Sequence, residues 1–125
     1  MRLHDIMTRT VETIAPHATI EDARSRMKQR KIRHLVVQNK TGVVGILSAT
    51  DIGTRKTKQD AEHTVADYMS EDVITASPTT TVREAANTLR GHAISCLPIV
   101  DKKQLVGIIT ITDLLELIGR GMERS

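Results

Sequence analysis

The chain has 125 residues, of which 39% are hydrophobic and 26% are charged, a composition typical of one compact domain or two small modules. Its apolar runs are shorter than the roughly 20 residues of a membrane helix, and its first residues lack the apolar stretch of a signal peptide. One cysteine excludes an internal disulfide framework, and one aromatic residue is too few for a nucleic-acid stacking platform. We therefore expect a cytoplasmic protein of α/β or α+β type.

Positive charge is concentrated in the first half of the chain. Residues 1–62 carry a formal net charge of +5 and residues 63–125 carry −2, which together give the +3 of the whole chain. Most of the excess lies in two stretches, residues 24–33 and residues 55–58. A run of positive charge is typical of a solvated helix face or loop. It is also what a site for an anionic ligand would show. Charge alone leaves both interpretations open.

The sequence repeats itself. When the chain is shifted by 62 residues, its two halves align without a gap from Asp5 and Asp67 onward. The identical pairs include Met7 and Met69, Pro16 and Pro78, Thr19 and Thr81, Gly45 and Gly107, and Asp51 and Asp113. So many matches at one offset indicate a tandem duplication, which divides the chain into residues 1–62 and residues 63–125.

Each repeat begins with a predicted strand that stops at a proline and is followed by a helix. The strands span residues 11–14 and 73–76, and Pro16 and Pro78 then interrupt the backbone hydrogen bonding. A helix is expected next because a threonine precedes a carboxylate by three residues and apolar residues follow at helical spacing. These N-caps are Thr19 with Asp22 and Thr81 with Glu84.

The second half of each repeat is predicted to be a hairpin followed by a helix. Two apolar strands flank a turn in each repeat, residues 35–37 with 43–47 and residues 97–100 with 105–109. The final helices start near Thr50 and Thr112. The first contains a glycine and few apolar residues, so we expect it to be short and partly exposed. The second carries apolar residues on more than one face, which favours a partner surface.

This order of elements gives each repeat a β-α-β-β-α pattern and places the chain in the α+β class. A repeat of about 60 residues is too small to bury a good core alone. We therefore expect the two repeats to pack face to face about a pseudo-twofold axis, with equivalent positions of both repeats around one central cleft.

The repeated pattern resembles a pair of CBS domains, also called a Bateman module. The resemblance is carried by Gly-Ile-Leu-Ser-Ala-Thr-Asp at residues 45–51 and Gly-Ile-Ile-Thr-Ile-Thr-Asp at residues 107–113. The segments Asp5-Ile6-Met7 and Asp67-Tyr68-Met69, which precede the first strands, are also similar to that family. Two copies in the same order at a fixed spacing make the resemblance specific, and it covers about residues 4–118.

Ser48 and Thr110 each stand three residues before an aspartate, at a predicted junction between a strand and a helix. A hydroxyl and a carboxylate can there point to the same side as the free amides of the helix, which favour an anion. An ionised aspartate only accepts hydrogen bonds, so the two vicinal hydroxyls of a ribose are natural donors to it. The same spacing also makes a helix N-cap that needs no ligand, and both interpretations stay open here.

The resemblance implies an adenosine-containing ligand, because CBS pairs often bind AMP, ADP, ATP or S-adenosylmethionine. It implies Asp51 and Asp113 for the ribose, and Ser48 and Thr110 for the ribose or a phosphate. The base would lie between the aliphatic groups of Thr13, Ile14, Ile46, Thr75, Ala76 and Ile108. No cofactor is expected beyond such a ligand.

Phosphate recognition is expected to depend on the first repeat. In the CBS family, basic residues directly before the first hairpin strand commonly meet ligand phosphates, and Arg33 and His34 occupy those places here. The second repeat has Ser95 and Cys96 instead, which cannot neutralise phosphate charge. This asymmetry agrees with the positive charge of the first half. Solvation of Arg33 and a structural role for His34 at the edge of the core remain the alternative.

The expected role is regulatory rather than enzymatic. The sequence shows no nucleophile elbow, phosphate loop or metal-ligand spacing, so no catalytic or metal-binding residue is assigned. The resemblance implies a homodimer, formed mainly through the last helix, that signals to an unidentified partner protein. A ligand-free module that acts only through protein contacts is the main alternative, and nucleic-acid binding is a minor one.

Overall fold

The computed structural model describes residues 1–121 and divides the chain into two compact units. The middle unit is Glu12–Val73, and the terminal unit combines Met1–Val11 with Ile74–Ser125. Helices and strands are present in both units, and the α+β class is confirmed. Within the described residues, no helix is both long enough and apolar enough to cross a membrane.

The middle unit contains three strands and three helices. These are β1 (Thr13–Ile14), α1 (Ile20–Arg30), β2 (His34–Asn39), β3 (Gly42–Ser48), α2 (Ala49–Ile52) and α3 (Val65–Tyr68), with a 3₁₀ turn over Lys58–Ala61 between the last two. The strands form one sheet, in which β1 is parallel to β2 and β2 makes an antiparallel hairpin with β3. The predicted hairpin is confirmed, and α2 is as short as expected because Gly53 ends it at one turn.

The terminal unit contains the second hairpin and its two helices. These are α4 (Val82–His92), β4 (Cys96–Asp101), β5 (Gln104–Thr110) and α5 (Ile111–Gly119), preceded at the start of the chain by a 3₁₀ turn over Leu3–Asp5. β4 and β5 pair antiparallel in the same register as β2 and β3, so that Cys96 faces Thr110 as His34 faces Ser48. α5 is more than twice as long as α2, in line with its apolar sequence.

The prediction of a regular strand over residues 73–76 is wrong. Only Ala76 makes a bridge there, by donating its N–H to the carbonyl of Pro98 and accepting from the N–H of Val100. In the middle unit, the equivalent strand β1 gains a further bond, because the Val36 N–H donates to the carbonyl of Glu12. Pro98 stands at the position of Val36 and has no N–H to donate, so the ladder stops after one bridge.

The predicted helix N-caps are confirmed in both units. The Thr19 hydroxyl accepts a hydrogen bond from the N–H of Asp22 at 3.1 Å, and the Thr81 hydroxyl accepts one from the N–H of Glu84 at 3.1 Å. The Glu84 carboxylate also accepts from the Thr81 N–H, which completes a reciprocal capping box at the start of α4. Each threonine thus fixes the residue at which its helix begins.

The compact units differ from the sequence repeats by an exchange of the first 11 residues of each repeat. In the terminal unit, the N–H of Leu3 donates to Thr80 and the N–H of Val82 donates to Met1, which joins the start of the chain to α4. In the middle unit, the N–H of Val65 donates in the same way to Ala18. Leu3 and Val65 are both fully buried in the cores of these units. Residues 1–11 are therefore part of the unit that contains the second repeat.

Each exchanged segment runs on to pair with a hairpin beside a glycine. Thr8 makes two backbone hydrogen bonds with Ile108, both at 3.0 Å, and Ser70 pairs in the same way with Ile46. A Cβ atom on Gly107 would lie 2.6 Å from the sulfur of Met7 and 3.1 Å from the carbonyl oxygen of Thr8. The absence of a side chain at this position is what allows the two backbones to approach.

Gly107→Ala is expected to lower the free energy of unfolding by about 1–3 kcal/mol, because the added methyl group must displace Met7 and the neighbouring backbone. Gly91→Ala is the control, since a Cβ at this exposed position of α4 meets no atom within 4 Å. That substitution should instead stabilise the helix by up to about 1 kcal/mol. Urea unfolding followed by circular dichroism measures both, and equal effects of the two variants would contradict the close-approach argument.

Candidate functional site

In the middle unit, the junction between β3 and α2 carries a reciprocal hydrogen-bonded pair. The N–H of Ser48 donates to Oδ2 of Asp51 at 2.9 Å, and the N–H of Asp51 donates to the Ser48 hydroxyl at 3.1 Å. The predicted N-cap is therefore present. Asp51 itself is exposed, and the bonds it accepts from described residues use Oδ2. Its Oδ1 atom is the carboxylate oxygen that remains for a hydroxyl donor.

The junction between β5 and α5 repeats this arrangement in the terminal unit. The N–H of Thr110 donates to Oδ2 of Asp113 at 2.9 Å, and the N–H of Asp113 donates to the Thr110 hydroxyl at 3.2 Å. Asp113 is half-buried, whereas its counterpart Asp51 is exposed. The two junctions thus place the same pair of functional groups in the same local geometry, in different degrees of exposure.

The residues expected to contact a base divide between two faces of the middle sheet. Register pairs Thr13 with Val36, Val36 with Ile46, and His34 with Ser48. Because side chains alternate along a strand, Thr13, Ile46 and Ser48 share one face. Ile14 points to the opposite face and is part of the apolar core, where it is 4% exposed. Its side chain is therefore separated from the other residues of the predicted set.

The terminal unit follows the same division. Ile108 lies two residues before Thr110 on β5, so the two side chains share a face of the hairpin. Ala76 is bridged to Ile99 and packs against the apolar core, as Ile14 does in the middle unit. Thr75, the neighbour of Ala76, is exposed. Thr75 and Ile108 are thus the members of this set that are not placed against the core.

Two further residues occupy the centre of these faces. Val36 lies between Thr13 and Ile46 in the middle sheet, and Pro98 lies opposite Ile108 in the terminal hairpin. Neither residue is predicted to contact a ligand from the sequence alone. Side chains alternate between the two faces along β2 and β4. Counting two residues forward from the residues opposite Ser48 and Thr110 would therefore have identified both.

Arg33 and His34 lie next to the start of α2. The carbonyl of Arg33 accepts a hydrogen bond from the N–H of Ala49 at 2.8 Å, and the Arg33 side chain is exposed. His34 is the register partner of Ser48 and is half-buried. Burial lowers the pKa of His34 below 6.5, and the neighbouring Arg33 charge lowers it further, against a smaller opposing effect of Asp51. At neutral pH, Arg33 is therefore the cation of this pair and His34 is an uncharged imidazole.

The pKa of the His34 imidazole is expected to lie below 6.5, the ordinary value for histidine. A lowered pKa means that the folded protein binds this proton less tightly than the unfolded chain does. Any stability due to neutral His34 is therefore complete above pH 6.5 and is lost as the pH falls through the lower pKa of the folded state. An NMR titration of the His34 ring protons measures this midpoint, and a midpoint at or above 6.5 would contradict the environment described.

No metal centre is formed by the residues that the structure describes, since residues 1–121 contain no group of three His, Cys, Asp or Glu side chains with suitable geometry. Cys96 is buried on β4 and is not part of a disulfide bond. The described residues bring hydroxyl, carboxylate and backbone amide groups to both junctions, and the middle unit adds the guanidinium of Arg33 and the imidazole of His34.

The sequence matches the CBS domain family over residues 3–53 and 65–120. It is 36% identical over 112 residues to the CBS domain-containing protein YhcV of Bacillus subtilis, an alignment that covers 88% of this chain and 80% of that protein. It is 38% identical over 117 residues to a homoserine O-acetyltransferase of Methanococcoides burtonii, covering 92% of this chain. The chain spans only 24% of that enzyme, so the similarity concerns a minor part of it.

Solved structures give the same result. The CBS domain pair of protein MJ0100, in complex with 5′-methylthioadenosine and S-adenosyl-L-methionine, has a TM-score of 0.85 at 28% identity and covers 97% of this chain and 98% of that one. A hexameric CBS-CP12 protein from bloom-forming cyanobacteria has a TM-score of 0.83 at 27% identity and covers 99% of this chain and 72% of that one.

Proposed function

The chain belongs to the CBS domain family, and we propose that it is a regulatory module that binds an adenosine-containing ligand at its two strand-to-helix junctions. The observation that carries the proposal is the recurrence of one hydroxyl and carboxylate pair, Ser48 with Asp51 and Thr110 with Asp113. The complex of the MJ0100 domain pair with two adenosine derivatives supports this ligand class. AMP, ADP, ATP and S-adenosylmethionine are the candidates within it.

Ribose recognition is assigned to the aspartates. Each capping box holds its carboxylate in place through Oδ2, so Oδ1 is preorganised to accept a ribose hydroxyl. Vicinal hydroxyls suit this acceptor because they can donate side by side to a group that has no proton of its own at neutral pH. The hydroxyls of Ser48 and Thr110 already accept one bond each from a backbone N–H and can donate to a ribose or phosphate oxygen.

The base is assigned to the aliphatic face beside each carboxylate. Thr13 and Ile46 supply this face in the middle unit, and Thr75 and Ile108 supply it in the terminal unit. Contacts with Ile14 and Ala76 would involve their backbone groups, since both side chains pack against the cores. In Ala76 the N–H already donates to Pro98, so its carbonyl oxygen, which accepts from Val100 and can accept a second hydrogen bond, is the backbone atom for an adenine edge.

A phosphate group is assigned to the middle unit. Arg33 is an exposed cation whose carbonyl is anchored to the start of α2, one turn away from Asp51. Its guanidinium can donate two parallel hydrogen bonds to a phosphate. Neutral His34 contributes a single donor or acceptor but no charge. In the terminal unit, Ser95 and Cys96 stand in the equivalent positions, so a ligand without a phosphate fits that junction better.

Replacing both aspartates, as Asp51→Asn with Asp113→Asn, is expected to weaken adenosine-ligand binding by about tenfold or more, because a hydrogen bond to a charged group is lost at each ribose. In the wild type, a ligand at 100 times its dissociation constant should stabilise the fold by about 2.7 kcal/mol. Thermal unfolding followed by circular dichroism, with and without AMP, ADP, ATP and S-adenosylmethionine, measures this stabilisation.

Two matched variants separate ligand binding from helix capping. Asp67→Asn removes the charge of the Thr64 capping box in the middle unit, and Glu84→Gln removes that of the Thr81 box in the terminal unit. Both should lower the unfolding temperature of the free protein much as the aspartate variants do, yet leave the ligand-induced shift intact. Loss of the shift in these controls as well would mean that the capping charge, and not a ribose contact, is responsible.

Arg33→Ala is expected to weaken ATP about tenfold or more and to leave adenosine nearly unchanged, because only ATP presents phosphate charge to the guanidinium. Lys28→Ala, which removes another exposed cation of the middle unit, is the control for overall charge. Isothermal titration calorimetry gives both dissociation constants for each variant. Equal losses for ATP and adenosine in the Arg33 variant would refute the phosphate assignment.

We assign the exposed face of α5 to self-association. Ile111, Leu115 and Ile118 are spaced by four and three residues along this helix and are 41%, 62% and 61% exposed. Leu114 and Leu117, on the neighbouring face of the helix, pack into the core of the terminal unit. Three large apolar side chains on one exposed helix face are typical of an interaction surface, and the CBS-CP12 neighbour is described as hexameric.

A homodimer is expected at micromolar concentration, and Leu115→Asp should shift it to monomer because a charge would be buried without a partner. Thr112→Asp adds the same charge at an exposed polar position of α5 and should leave the dimer intact. Light scattering coupled to size-exclusion chromatography distinguishes the two states. A wild-type monomer, or dissociation by both variants, would argue against this surface.

A module that regulates an unidentified cytoplasmic partner through contact alone is the second candidate. The observation that favours it is that both capping boxes are complete without any ligand, so neither helix start needs one for stability. The two candidates differ in one measurable respect. A contact-only module would show no change in unfolding temperature with any adenosine ligand, while its self-association through α5 would be retained.

A further inference from the structure

The end of α2 is held by a side chain from α1. Arg24 donates from Nη1 to the carbonyl of Gly53 at 2.6 Å and from Nη2 to the carbonyl of Ile52 at 2.7 Å. These carbonyls lie at the C-terminal end of α2, where no further helical turn supplies donors. A cation at this end of the helix also matches the sign of its dipole.

The third donor of the same guanidinium holds the segment that follows α2. Nε of Arg24 donates to Oδ2 of Asp60 at 2.7 Å, and the two side chains are 12% and 10% exposed. Asp60 also accepts from the N–H of Thr57 at 3.3 Å and from the Thr57 hydroxyl at 3.1 Å. Burial raises the pKa of Asp60, but the hydrogen bonds from Arg24 and Thr57 outweigh it and keep that pKa below its usual value, so the carboxylate is ionised at neutral pH.

Among the residues of the terminal unit that the structure describes, this contact has no counterpart. Ala86 stands 62 residues after Arg24, and it has no group that could bind a carbonyl. α5 continues for nine residues to Gly119, whereas α2 stops after four. The carbonyls that need an external donor in the middle unit are therefore followed by further helical turns in the terminal unit. Arg24 thus compensates for a feature that is specific to the short helix.

A four-residue helix is too short to be stable without external contacts. The two ends of α2 supply these contacts, Asp51 in the capping box at its start and Arg24 at its last carbonyls. Because only one turn separates them, a change at the last carbonyls is transmitted to the position of the Asp51 carboxylate. The guanidinium fork is essential, since an ammonium group cannot hold two carbonyls and a carboxylate in fixed directions.

We infer that Arg24 is a positioning residue for Asp51, and that it couples the ligand site of the middle unit to residues 53–61. The ligand part of this inference rests on the function proposed above. By reciprocity, a ligand that holds Asp51 also stabilises the contacts of Arg24 with Asp60. Ligand binding therefore makes residues 53–61 more ordered. Residues 53–61 are thus a response element for the middle site, without an equivalent in the terminal unit up to residue 121.

Hydrogen–deuterium exchange on the ligand-free protein tests the positioning role. Arg24→Ala and Arg24→Lys should both speed exchange in peptides covering residues 49–61 by about tenfold or more, because two carbonyls lose charge-assisted bonds. Peptides covering residues 104–119 should be unchanged. Arg30→Ala is the matched control, since it removes the ion pair of Arg30 with Glu12 from the same helix at a site that is 67% exposed. It should leave residues 49–61 protected.

Two results of this experiment would overturn the inference, and a third would overturn its requirement for a guanidinium group. Unchanged protection of residues 49–53 in Arg24→Ala would show that α2 does not depend on the guanidinium. Equal acceleration across both units would show that Arg24 serves only global stability. Full protection in Arg24→Lys would refute the need for the guanidinium fork.

The coupling to the site is measured with AMP and ATP in an Asp113→Asn background, which leaves the middle site as the intact one. Arg24→Ala should weaken both ligands by about tenfold, and bound ligand should slow exchange over residues 53–61 only when Arg24 is present. Equal affinity with and without Arg24 would overturn the coupling. Absence of binding to the wild type would instead refute the proposed function, and the ligand-free exchange comparison would still decide the positioning role.

Discussion

Gly45 and Gly107 allow a second stretch of backbone to lie against one strand of each hairpin, because a Cβ at either position would come within 2.6 Å of a methionine sulfur. Thr8 pairs with Ile108 and Ser70 pairs with Ile46 directly beside these glycines. The paired segments are the opening residues of the other repeat, so each compact unit is completed by chain from outside its own repeat. Close backbone approach is therefore the constraint that defines the units and supports the strands that lead to both junctions.

The capping boxes explain how one pair of residues can serve structure and recognition together. Ser48 with Asp51 and Thr110 with Asp113 satisfy free amides at the helix starts, and in doing so they fix each carboxylate before any ligand arrives. A fixed acceptor loses little conformational entropy on binding, which favours affinity. The middle unit adds to this the exposed cation Arg33, whose carbonyl is bonded to the start of α2, and a guanidinium contact at the far end of its short helix. The two junctions therefore share the groups that we propose to bind ribose, and they differ in charge and in the coupling that we infer to the chain that follows.

Local sequence patterns predicted the elements well and the side-chain directions less well. Thr19 and Thr81 cap the predicted helices because capping depends on residues three positions apart. By contrast, the core-facing direction of Ile14 depends on strand register across the sheet, and the loss of a strand near Ala76 depends on Pro98 at a distant position. The exchange of residues 1–11 could not be predicted either, because it depends on contacts between segments that are far apart in sequence. The lowered pKa of His34 required a burial that only the folded chain provides.

The most direct test of the account is an NMR titration of the isotopically labelled protein with AMP, ATP and S-adenosylmethionine, followed through its backbone amides. The amides of the capping boxes report on the proposed ribose contacts, because they donate to the same carboxylates that a ribose would approach. The account predicts that at least one of these ligands shifts the amide signals of Ser48 and Asp51, or those of Thr110 and Asp113, in a saturable way. Saturable shifts that leave all four amides unaffected, or no shift at millimolar ligand, would contradict it.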